Sequence, residues 1–135
     1  MTGANKKLNI DEEVSVGERA YREALALLEK EFHEGATSRL YYAAFHLAHA
    51  VLLSEGLQPK SHKGALFLFK KHFVETGHFE PRYSQIIARA EKYREEADYR
   101  HDMSFSKELV EQTRTEVKEF MEKCLSFLKS QKLVD

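Results

Sequence analysis

The chain has 135 residues, 42% hydrophobic and 32% charged, the composition of one folded domain rather than a disordered chain. Lys and Arg total 21 against 22 Asp and Glu, a net charge of −1, which excludes a protein that coats nucleic acid through bulk positive charge. The single cysteine, Cys124, excludes an internal disulfide framework and a C-x-x-C metal knuckle, and fits a reducing compartment.

Two prolines and six glycines leave room for long helices. Residues 1–14 read as a flexible arm, with no apolar leader in Met1 to Lys7. Ser15 and Glu18 have the spacing of a capping box, and Ala20, Ala24, Leu27 and Leu28 continue at helical period to about Phe32. A second helix is expected from about Thr37 to Glu55. Leu40, Ala43, Leu47, Ala50 and Val51 line one side, and Tyr42, Phe45, His49 and Leu52 another. A helix apolar on two sides belongs at the centre of a bundle. Gly56 suits its C-terminal cap, and Pro59 prevents continuation.

Ser61 is a natural N-cap for a third, shorter helix with Leu66, Phe69 and Phe73 inside, ending at Gly77. Pro81 sits well in the first turn of a fourth helix carrying Tyr83, Ile86, Ile87, Ala90, Tyr93 and Ala97. A fifth, from about Ser106 to Lys129, bears a seam of Val110, Thr113, Val117, Phe120, Cys124 and Phe127. The expectation is an all-α, up-and-down four-helix bundle with one additional short helix, spanning residues 15–130, with residues 131–135 as a tail. The most apolar stretch, Leu40 to Leu53, is too short and too polar to span a membrane, so a soluble cytoplasmic protein is expected.

Three features carry chemistry. Residues 60–74 hold Lys60, Lys63, Lys70 and Lys71 and no acid; a solvated face is the simpler account and a phosphate-binding surface the functional one. His46 and His49 lie three apart and can share a helix face, but no further ligand is apparent locally, so neither metal nor cofactor is expected. Arg94, Asp98 and His101 stand at i, i+4 and i+7, nearly one stripe at ~100° per residue. An arginine that stabilises phosphate charge, a carboxylate that orients and an imidazole that moves a proton make a phosphodiester-cleaving set without a metal. Arg94 and Asp98 also make an ordinary helical ion pair.

Ser38 to His46, Ser61-His62-Lys63-Gly64, Phe69 to Gly77 and Arg94-x-x-Ala97-Asp98-Tyr99 together resemble the HEPN domains, over about residues 15–130. The resemblance is to small stand-alone members. It implies an α-helical bundle that dimerises, with an Arg-x(4–6)-His motif from each copy meeting in one composite, metal-independent endoribonuclease site. Arg94 and His101, with six residues between them, match that motif. It further implies a toxin paired with a small nucleotidyltransferase antitoxin. The alternative, motivated by Glu95 beside Arg94 and by the near-neutral charge, is a non-catalytic module. It would bind a nucleotide, RNA or a partner protein in a groove lined by Arg39, Tyr42, His46 and Lys63.

Overall fold

The computed structural model describes residues 3–99 and 105–135. Five α-helices run in order, α1 Gly3–Glu29, α2 His33–Ser54, α3 His62–Phe69, α4 Pro81–Tyr99 and α5 Lys107–Ser130, and no strand occurs among the described residues. A turn of π-helix, Lys70–Val74, prolongs α3. The four long helices and short α3 are the bundle that the periodicity predicts. Among the described residues no helix is long and apolar enough to cross a membrane.

The second helix is the centre. Leu40, Ala43, Leu47, Ala50 and Val51 are all buried, and α1, α4 and α5 each pack on it. Its other stripe is only half covered: Leu52 is buried, whereas Tyr42, Phe45 and His49 are intermediate. The seam of α5 is buried from Val110 through Cys124 and fills the chain's own core. Phe69, Phe73, Phe79 and Phe120 form an aromatic cluster, with the Phe69 ring 5.0 Å from Phe79 and 5.5 Å from Phe120. Each such side chain, fully buried, contributes about 1.5–3 kcal/mol.

The expected helix starts are present at three places. Ser61 Oγ accepts from Gly64 N–H at 2.9 Å, Ser106 Oγ accepts from Leu109 N–H at 3.1 Å, and Pro81 is the first residue of α4. The N-terminal arm requires correction. Its residues are helical from Gly3, because Ile10 and Val14 continue the inward stripe of Ala20, Ala24 and Leu28 and bury themselves. Ser15 and Glu18 therefore lie mid-helix rather than at a cap. The second helix also starts earlier than Thr37, at His33. The break before it falls at Glu31, whose φ of 64° lets Phe32 N–H reach the Leu27 carbonyl at 2.8 Å. The tail is not wholly free either: Leu133 and Val134 pack on the core.

Candidate functional site

The inward stripe of α4 runs Ile86, Ile87, Ala90 and then Arg94, which is only 8% exposed. A charge at a core position has to be paired. Arg94 Nη2 donates to Glu91 at 2.6 Å and Nη1 donates to Asp98 at 3.3 Å, with Glu95 at 3.9 Å. Burial works against the guanidinium charge, but Glu91 and then Asp98 outweigh it and hold its pKa above the ordinary arginine value. The guanidinium carbon lies 5.4 Å from the Tyr41 ring centre.

Tyr41 is fully buried, and its hydroxyl shares a 2.6 Å hydrogen bond with His62 Nδ1 at the start of α3. Burial first, and the Glu91 charge second, push the phenol well above its ordinary pKa, so it stays protonated. The His62 ring also meets Phe45 at 4.5 Å and Tyr42 at 6.2 Å. Arg94, Tyr41, His62, Phe45 and Tyr42 thus form one continuous, largely buried polar and aromatic network joining α4, α2 and α3.

On the neighbouring side, between α1 and α2, Arg19, Glu23, Arg39, Tyr42 and His46 line a cavity of about 280 Å³. Arg39 stacks its guanidinium 4.8 Å above Tyr42 and pairs with Glu23 at 3.5 Å. Beyond His46, one oxygen of Glu13 meets His46 Nδ1 at 2.7 Å and His49 Nδ1 at 3.4 Å. Burial alone would raise the Glu13 pKa; the hydrogen bonds and charges of the two histidines overcome it and hold the carboxyl at about 2. Among the described residues no group of three His, Cys, Asp or Glu is arranged to hold a metal.

Two of the three residues expected to act together, Arg94 and Asp98, do meet. His101 lies outside the described residues. Three of the four expected groove residues, Arg39, Tyr42 and His46, share one cavity; Lys63 does not line it and is exposed on α3, next to His62. Tyr41, His62, Glu91 and Glu13 were not singled out as site residues from the sequence. Glu91 alone had a local signal, standing three residues before Arg94 on the same helix. A larger cavity, about 420 Å³, lies beside His33, Lys107 and Arg114 and contains none of the expected residues.

The HEPN domain description matches residues 14–130. Two proteins of Methanocaldococcus jannaschii are similar to the chain. "Putative toxin MJ0605" is 37% identical over 89 residues, 66% of this chain and 66% of the relative. "Putative toxin MJ0142" is 31% identical over 105 residues, 78% of this chain and 71% of the relative. A UPF0332 protein of Thermotoga maritima is 33% identical over 114 residues, 84% of this chain and 81% of the relative. A central helix apolar on two sides, a buried arginine near the end of α4 and a family match across nearly the whole length agree: the chain belongs to the HEPN domain family.

Proposed function

We propose that this protein is a HEPN toxin acting as a metal-independent endoribonuclease, with Arg94 and His101 as its motif and Asp98 as the positioning carboxylate. The observation that carries the reading is Arg94 itself. A buried arginine on the core stripe of α4 is costly unless it is paired, and Glu91 and Asp98 pair it; His101 follows seven residues later in the sequence. The Arg94 Nε is buried and makes no hydrogen bond to any described residue.

In the proposed step the 2′-hydroxyl of RNA gives its proton to His101 as the O2′–P bond forms. The P–O5′ bond breaks, and a proton returns to the departing 5′ oxygen. The products are a 2′,3′-cyclic phosphate and a 5′-hydroxyl. Arg94 stabilises the charge that gathers on the phosphoryl oxygens. The names of the two archaeal relatives support the toxin assignment. A homodimer with a composite site, and a small nucleotidyltransferase as antitoxin, complete the proposal on the strength of the HEPN resemblance.

The test is cleavage of total RNA by purified protein in excess chelator. Wild type is expected to cut, and folded Arg94→Ala and His101→Ala to lose about 10²–10³-fold in rate. Intact RNA with all three would contradict the enzyme. A second reading would then hold, favoured by Arg39 stacked on Tyr42 in the α1–α2 cavity: a non-catalytic module that takes a nucleotide or RNA base there.

A further inference from the structure

The buried residues of α3 and its π turn, Ala65, Phe69 and Phe73, define an inward stripe. The opposite stripe is Lys63, Phe67 and Lys70, at i, i+4 and i+7, with Lys71 beside it. The three lysines are exposed and form no ion pair with any described residue. Between them Phe67 is 63% exposed, with Lys71 Nζ 5.8 Å from its ring centre. Phe67 is the one large apolar side chain that α3 exposes, and it stands among cations rather than acids. Alongside runs a groove of about 320 Å³ lined by Leu66, Phe67, Lys70, Ser84, Gln85 and Ala88, without an acid in its walls.

We propose that Lys63, Phe67, Lys70 and Lys71 form a single-stranded RNA subsite, Phe67 stacking a base and the lysines holding the flanking phosphates. Four lysines without an acid in residues 60–74, in a chain of net charge −1, give this face the charge a phosphate backbone complements. An exposed aromatic between cations is the arrangement that reads unpaired bases. Position supports the assignment. The first residue of α3, His62, touches Tyr41 and Tyr42, and from His62 to Lys71 the helix runs about 13 Å. A strand laid along this face leads toward His62, the half-buried residue through which α3 meets the Tyr41–Arg94 cluster. The identity of the ligand as RNA rests on the ribonuclease reading; the measurement of the subsite does not require cleavage.

The test is fluorescence anisotropy with a short fluorescein-labelled single-stranded RNA, 2′-O-methylated throughout so that no 2′-hydroxyl can attack. Phe67→Ala should weaken binding about 5-fold or more, and Phe67→Trp should retain it. Replacing Lys63, Lys70 and Lys71 together by Gln should flatten the dependence of log Kd on log salt by about 2. All these side chains are exposed, so far-UV circular dichroism should stay unchanged. Wild-type affinity and salt slope in both the Ala and the triple Gln variants would overturn the subsite, even if the enzyme cuts RNA. So would a Phe67→Ala variant whose mass by light scattering drops, which would place this face between two copies. Failure of wild type to cut unmodified RNA, with these binding effects intact, would sink the ribonuclease alone.

Discussion

Two charged clusters flank α2, and they are built for different ends. Near one end of α4 a base, Arg94, is held by acids, Glu91 and Asp98. Between α1 and α2 an acid, Glu13, is held by bases, His46 and His49. The first keeps its charge at every accessible pH, because arginine does not deprotonate and its partners reinforce it. The second depends on a carboxyl that titrates at about 2 and ties the start of the bundle together. A permanent, restrained cation suits phosphate chemistry; a carboxylate shared by two imidazoles suits the docking of one helix on another.

The sharpest way to break this contrast is Arg94→Ala. It should slow cleavage about 10²–10³-fold and also destabilise the fold by about 3–5 kcal/mol, because Glu91, with one oxygen buried, is left without its counter-charge. Urea denaturation would measure the second effect; an unchanged midpoint would mean that the arginine is not structurally paired. Glu13→Gln should leave cleavage near wild type and act on stability through pH. The Glu13 pKa is lowered from 4.5 to about 2, so its contribution is fully present above about pH 4.5 and is lost as pH falls through about 2. Wild type should lose about 1–2 kcal/mol across that window, the full shift discounted because the carboxyl is partly in solvent, and the Gln variant should not lose it. Equal pH slopes would show that Glu13 is not held by the histidines. The smallest expected effect is Tyr41→Phe, which removes the hydroxyl bonded to His62 and should cost about 0.5–1.5 kcal/mol in thermal or urea unfolding.

Much of the architecture is readable in the sequence because it depends on local pattern. The two apolar stripes of α2 announce its central place, and Ser61, Pro81 and Ser106 mark helix starts that the backbone obeys. Two features are not readable, one because its cause is long-range and the other because the turn lacks its usual residue. Gly17 sits in a capping-box spacing, yet its real role is close approach. A Cβ there would come within 2.4 Å of Leu47 Cδ2 and 3.1 Å of the Ala43 carbonyl oxygen, so α1 can lie tight on α2 only with glycine. Glu31 adopts φ of 64° without glycine, so the turn between α1 and α2 carries none of the usual signal.

The site divides along the same line. Arg94 and Asp98 are four apart on one helix, and their ion pair follows from the spacing. Tyr41, His62 and Glu13 join the site only through packing: the Tyr41–His62 bond spans 21 residues and the Glu13–His46 bond 33. Lys63 was grouped with Arg39, Tyr42 and His46 by residue type, but α3 carries it onto another face.

The most direct test of the central claim uses an RNA oligonucleotide with one preferred cleavage point, incubated with wild-type protein in excess chelator. A single 2′-deoxy substitution is placed on the nucleotide immediately 5′ of the scissile phosphate. The account predicts a 2′,3′-cyclic phosphate on the product of the unmodified strand and no cleavage of the substituted one. Cleavage that persists without that 2′-hydroxyl, or a product ending in a 3′-hydroxyl, would contradict it.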